Sequence, residues 1–238
     1  MKHPLHLLGL LVGAATAVQA ADTVVLLHGL GRGPLSMARI ARDLRADGYE
    51  VRNLSYPSQH ADIRTLAETT LGPVFSAAPA GTRIHVVTHS LGGILVRQYL
   101  HDHGAPPALG RVVMLAPPNA GSEIVDRLGD FAPYRWLNGP SGVQLGTAPG
   151  SVPNTLGPLP AGATVGVIAG DRSLNPLFSS WLPGADDGKV TVASTHVAGE
   201  SAHLTVPHSH TWLMWRAPVL AEIRVFLRTG RFSPARMT

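Results

Sequence analysis

The sequence contains no cysteine. That absence excludes disulfides, thiolate metal sites, a cysteine nucleophile and a lipid-anchored N-terminal cysteine. Charge is scarce as well: 14% of the 238 residues are charged against 45% hydrophobic, the balance of one globular domain with a full core and not of a disordered chain. Aromatics make up 5%, and the basic residues are scattered without a run. A nucleic-acid surface needs clustered cations with aromatics between them, so no nucleic-acid partner is expected. The formal charge of +4 favours anionic membranes or anionic substrates, but weakly. Long apolar runs are missing too. Leu5 to Ala17 is apolar apart from His6 and Thr16, and it falls short of the roughly 20 residues a spanning helix needs.

That short run instead has the layout of a secretory signal. Lys2 supplies a positive start, Leu5 to Ala17 the apolar stretch, and Val18-Gln19-Ala20 a small-x-small cleavage site. The expectation is cleavage after Ala20 and export, to a periplasmic or secreted location, with residues 21–238 forming the mature domain.

The stretch that organises the remainder runs from Arg83 to Val96. Ile84 to Val87 is apolar and β-branched apart from His85, as in a buried strand, and Gly93 to Leu100 reads as a helix. Between them stand Ser90 and, two residues on, Gly92. A sharp strand-to-helix turn pushes such a serine out at the strand's carboxyl end with its hydroxyl free. The helix start beside it offers unpaired N–H groups to an oxyanion. The usual pattern is G-x-S-x-G, and Thr88 occupies the first glycine position, so a somewhat relaxed turn is expected. Alone, the motif equally fits an ordinary serine N-cap on a βα turn.

Upstream, the strand Thr23 to Leu27 runs into His28-Gly29-Leu30-Gly31-Arg32-Gly33. This loop lacks the G-x-G-x-x-G spacing of dinucleotide binders and the Gly-Lys-Ser/Thr of a phosphate loop. It suits the second donor of an oxyanion hole, with Leu30 N–H from this loop and Leu91 N–H from the residue after the serine. Pro34 opens a helix carrying Met37, Ile40, Ala41 and Leu44, and Tyr49 to Leu54 is a second strand. A helix from about Asp62 to Ala77 is weakened at Gly72-Pro73. The helix after Ser90 runs to about His103, and Arg111 to Leu115 is a fourth strand.

Residues 117–160 differ in composition: 15 of the 44 are Gly or Pro, against 46 in the whole chain. The segment cannot hold a long helix, although Ser122 to Leu128 suits a short one. It is placed to cover the site, with Phe131, Tyr134, Trp136, Leu137, Val143 and Leu145 as candidates for an acyl pocket or for simple packing onto the body. Ala163 to Ala169 is a fifth strand, Lys189 to Ala193 reads as short and extended, and Ala202 to Val206 is the last strand. Helical material from Thr211 to Arg228 is restarted at Pro218 and closed by Gly230. Strands alternating with helices argue an α/β fold with a parallel sheet and helices on both faces.

A serine nucleophile needs a base, and the base an acid to orient it. Asp187, Asp171 and Asp186 compete for the acid. Asp187 is placed first, at a tight turn before an apolar strand, with Asp171 at a strand end and Asp186 as a solvated neighbour. His210, at the start of the final helical stretch, is placed ahead of His208 as base. The pairs His208 with His210 and His101 with His103 lack nearby carboxylates or cysteines, so no metal and no cofactor is expected.

On His28-Gly29-Leu30-Gly31, Thr88-His89-Ser90-Leu91-Gly92, Asp187-Gly188-Lys189-Val190 and Ser209-His210-Thr211, the chain resembles the α/β-hydrolase superfamily, and within it the small bacterial lipases and esterases. Asp187 matches the Asp-Gly-x-Val acid turn common in such lipases. Pro117 to Ser122 is similar to a segment of lipase-like hydrolases. The resemblance implies a minimal fold of about six strands, without the two that precede the H-G strand in the full fold. It also implies a serine hydrolase acting on a small ester or lipid through Ser90, Asp187 and His210, with transient contact to membrane surfaces. An acyltransferase or amidase using the same residues, and a silent fold that binds lipid or a partner protein, are the alternatives.

Overall fold

The computed structural model describes residues 22–234. Six strands form one sheet in the order β2-β1-β3-β4-β5-β6, with every neighbouring pair parallel. The strands are β1 (Thr23–Leu27), β2 (Glu50–Leu54), β3 (Ile84–His89), β4 (Leu109–Leu115), β5 (Thr164–Gly170) and β6 (Ala202–Val206). Inner strands covered on both faces are rich in apolar residues, which is why β1 and the Ile84, Val86 and Val87 of β3 were legible. The edge strand β2 is only partly buried and carries Glu50, Arg52 and Asn53.

Nine α-helices accompany the strands among the described residues: α1 (Ala38–Ala46), α2 (Ile63–Ser76), α3 (Leu91–His103), α4 (Glu123–Leu128), α5 (Ala132–Val143), α6 (Val152–Thr155), α7 (Pro176–Ser179), α8 (Val192–Thr195) and α9 (Ala217–Thr229). Alternation along the strands sorts the core. Val24 and Leu26 point to one face, where α1 and α9 pack through Ile40, Leu44, Leu220 and Phe226. Val25 and Leu27 point to the other, against Ile63 and Leu66 of α2 and Ile94 and Leu95 of α3.

Helix α2 continues through Pro73, which stands close enough to the C-terminus to disturb only the last turn. The twelve residues of α5 are two short helices joined at Gly139, where φ is 65°. A Cβ there would lie 1.7 Å from the Gln59 carbonyl oxygen. Residues 189–193 do not stay extended as the sequence suggested. Thr191 caps a single turn through Ser194 N–H to Thr191 Oγ1 at 3.0 Å, so Val192 and Ala193 are helical.

The strand order reverses between β1 and β3, and ligands of open α/β sheets bind beyond the carboxyl ends of the strands at such a point. Leu30 follows β1 and Ser90 follows β3. Residues 1–20, read as an export signal, lie outside the described residues.

Candidate active site

Ser90 occupies the turn between β3 and α3 with φ 53° and ψ −121°. Thr88 therefore does not relax the turn as its bulk suggested. It sits fully buried inside β3, and the strained conformation falls on the serine. The close approach of helix to strand rests on Gly92, where a Cβ would lie 2.9 Å from both the Leu27 Cβ and the Leu27 carbonyl oxygen. Ser90 stands at the N-cap position of α3, but its side chain makes no capping bond. The N-cap explanation of the serine thus fails, and its half-buried hydroxyl is left without a hydrogen bond among the described residues.

His210 lies between β6 and α9, seven per cent exposed. Its Nδ1 donates to Asp187 Oδ2 at 2.8 Å. Asp187 is two per cent exposed, and its other carboxylate oxygen accepts the N–H groups of Lys189 and Val190 at 3.0 and 2.9 Å. The turn Asp187-Gly188-Lys189-Val190 thus fixes the carboxylate independently of the histidine. The main chain ties the two residues again, through His210 N–H to the Asp187 carbonyl at 3.0 Å.

The competing residues lie elsewhere. Asp171 pairs loosely with Arg172 at 3.8 Å. His208 makes no hydrogen bond or ion pair with Asp187 among the described residues and does not line the cavity. Asp186 is not the solvated neighbour expected. It is eight per cent exposed and accepts from Ser179 Oγ at 2.8 Å and Gly188 N–H at 2.7 Å, so its role is to build the turn.

Ser90 and His210 line one cavity of about 550 Å³ together with Leu30. They share it without a direct hydrogen bond to each other. Leu91 is fully buried as the first residue of α3, where a backbone N–H has no acceptor within its own helix. Of the six residues proposed for an acyl pocket, Tyr134, Leu137 and Leu145 line the cavity. Phe131 and Trp136 face solvent, 60% and 85% exposed, and Val143 turns to a separate surface hollow.

Several residues that fix the site escaped the sequence reading. His89 is buried, and its Nε2 meets the His210 carbonyl at 3.0 Å, with the two rings 4.8 Å apart. A carbonyl only accepts, so Nε2 carries the proton. Burial first, and the neighbouring His210 second, hold the His89 pKa well below the usual histidine range, so it stays neutral. The loop after β1 is held by Tyr56, whose hydroxyl donates to the His28 carbonyl and whose ring stacks on the His28 ring at 4.1 Å. It is held again by Ser58, whose Oγ accepts Gly31 N–H at 3.0 Å. No group of three or more His, Asp or Glu side chains among the described residues is arranged to hold a metal ion.

The sequence profile of the Alpha/beta hydrolase family matches residues 24–233. The chain belongs to the alpha/beta hydrolase family. Membership supports a hydrolase and accounts for the sheet order. No curated protein matches the sequence significantly. Among solved structures, the mature lipase of Bacillus licheniformis superposes with a TM-score of 0.65 at 19% identity, covering 89% of this chain and 92% of that one. A metagenomic carboxyl esterase reaches 0.70 at 19% identity, over 88% of this chain and 76% of that one. Tomato methylketone synthase I gives 0.61 at 12% identity, over 89% and 99%. At these identities the likeness is one of fold.

Proposed function

We propose that this hydrolase cleaves carboxylic esters, in the manner of a lipase or esterase, through an acyl-enzyme formed on Ser90. The observation that carries the reading is the combination at the cavity floor. A strained serine with an unengaged hydroxyl shares its cavity with a histidine whose far nitrogen is held by a buried carboxylate. Fold alone does not decide function, as the methylketone synthase on the same fold illustrates.

In the proposed cycle Ser90 Oγ attacks the ester carbonyl carbon while His210 Nε2 takes its proton. Asp187 keeps the proton of the neutral ring on Nδ1 and stabilises the imidazolium that forms. The backbone N–H groups of Leu30 and Leu91 receive the oxyanion. His210 then passes its proton to the alcohol oxygen as the C–O bond breaks. Water enters, gives a proton to His210 and attacks the acyl carbon, and the acid leaves as Ser90 regains its proton.

Labelling the protein with a fluorophosphonate and mapping the adduct by mass spectrometry tests this, with the adduct expected on Ser90. Ser90→Ala is expected to lower kcat on p-nitrophenyl esters by on the order of 10⁶, and Asp187→Ala by about 10⁴. Folded protein that takes up lipid but no phosphonate, with or without detergent, would instead indicate a silent binding fold. The reading includes export. The same mass analysis of exported protein is expected to begin at Ala21, and an intact Met1 would refute it.

A further inference from the structure

The cavity beside Ser90 has an apolar wall, supplied by α4, α5 and their neighbours, and two cations, Arg32 and Lys189. Neither cation has an ion-pair partner or a side-chain hydrogen bond among the described residues. The one carboxylate near Lys189 is Asp187, and its two oxygens are engaged by His210 and by two backbone N–H groups. Both cations stand on segments the site already fixes. Arg32 lies two residues past Leu30, with its N–H on the Gly29 carbonyl at 3.2 Å. Lys189 lies two residues past Asp187, with its carbonyl accepting from Ser122 Oγ at 2.7 Å and its Nζ 4.7 Å from the centre of the Phe178 ring.

Two like charges facing one cavity repel, and elsewhere in this protein cations on fixed segments find acceptors. Arg224 takes Asp47, Arg64 takes Asp102, and the buried Arg97 takes two carbonyls. Both residues are partly exposed, yet the surrounding walls are close enough that burial lowers the pKa of each. Charged ends that are partly desolvated and have no carboxylate partner favour an anion beside them, and the cavity they face is the one that Ser90 and His210 line.

We propose that Arg32 and Lys189 form an anion-recognition subsite, and that the preferred ester carries a negatively charged oxygen group, carboxylate or phosphate, a few bonds from the scissile carbonyl. Arg32 offers a planar fork that suits either group with two parallel bonds, and Lys189 adds a point charge. The subsite rests on the ester-hydrolase reading and deepens it by naming the substrate class.

The test compares esters of matched length in the full-length mature protein. One arm is neutral, p-nitrophenyl hexanoate. A second carries a carboxylate, the mono-p-nitrophenyl ester of adipic acid, and a third a phosphate, an acylated glycerol phosphate measured against the corresponding neutral glyceride. The ratio of anionic to neutral kcat/KM is expected to exceed one and to fall roughly 10- to 100-fold in Arg32→Gln and Lys189→Gln, the range of one or two charge-assisted bonds. The preference is also expected to shrink as ionic strength rises, since the charges are partly exposed. Arg64→Gln, which removes the same charge far from the cavity, is expected to leave the ratio unchanged. Preference in the second arm alone or in the third alone identifies carboxylate or phosphate. Hydrolysis of the neutral ester with no anionic preference, or a ratio unmoved in both glutamine variants, overturns the subsite while sparing the hydrolase reading. No hydrolysis in any arm together with no phosphonate adduct overturns that reading itself.

Discussion

Ser90 and Ala116 are the two non-glycine residues with positive φ among the described residues, at 53° and 45°. Such a backbone costs about 1–3 kcal/mol for a residue with a Cβ, and it persists where the surroundings over-determine it. At Ser90 the surroundings are explicit: its N–H donates to the Leu115 carbonyl at 2.8 Å and its own carbonyl accepts Gly93 N–H at 2.9 Å. Glycine adopts this conformation freely but brings back about 0.4–1 kcal/mol of unfolded-chain entropy. Relief is the larger effect. Ser90→Gly is expected to be inactive yet more stable than the wild type by about 1 kcal/mol, a rise of roughly 2–4 °C in Tm for a chain of this size. Ser90→Ala keeps the strain and serves as the comparison. A glycine variant that melts at or below the alanine variant would show that the turn stores no strain.

At the scale of elements, the segment 117–160 is attached to the body through a charge. Arg97 of α3 is five per cent exposed and has no acidic partner. Its guanidinium donates to the Asn119 carbonyl at 2.6 Å and the Gly157 carbonyl at 2.9 Å, near the two ends of that segment. Burial lowers its pKa to about 10, which leaves it charged at neutral pH. A fork of fixed N–H groups bridges two carbonyls where a neutral side chain leaves both unpaired. Arg97→Leu is therefore expected to destabilise the protein by about 2–4 kcal/mol, read as a lower urea midpoint. Arg97→Lys, a single point donor, is expected to recover only part of the loss. An undiminished midpoint in Arg97→Leu would mean that the segment holds itself in place.

The same segment marks where the sequence stopped being informative. Strand and helix boundaries were legible because apolar runs such as Val24 to Leu27 and Val86-Val87 are bounded by glycine, proline and polar residues. The candidates Ser90 and His210 stood out in the sequence because each lies shortly after a strand, and Asp187 because it opens the turn Asp187-Gly188-Lys189-Val190 beyond α7. In 117–160 the helical pieces are too short for a hydrophobic period to say which side faces inward. Tyr134 and Leu137 reach the cavity while Trp136 between them faces solvent, and only packing decides this. His89, Tyr56 and Ser58 were illegible for another reason. Their partners lie 121, 28 and 27 residues away, and nothing local announces them.

For the whole molecule, histidine is the main acid-sensitive component. His28, His85, His89, His203 and His208 all have pKa values lowered, in each case chiefly by burial. The folded values thus lie below the unfolded value of about 6.5. Between the two, the unfolded chain binds more protons than the folded one. Stability is then fully present above about pH 6.5 and is lost as pH falls through the folded values. Each proton also adds to a net charge already at +4. Urea midpoints are expected to be level between pH 8 and 7 and to decline from about pH 6.5 downward. A midpoint level to pH 5 would show that these histidines ionise without leaving their sites.

Ser58, four per cent exposed, joins the loop after β1 to α5. Its hydroxyl accepts the Gly31 N–H of the loop after β1, and its carbonyl accepts the Ser141 hydroxyl from the far end of α5. Next to it, Gln59 donates through its side chain to the Leu137 carbonyl. A sequence library that randomises α5 to widen substrate range will therefore also disturb the backbone proposed to receive the oxyanion. Active variants recovered from such a library are expected to keep a hydroxyl at position 141 and glycine at position 139, since the bond to the Ser58 carbonyl and the close approach to Gln59 run through them.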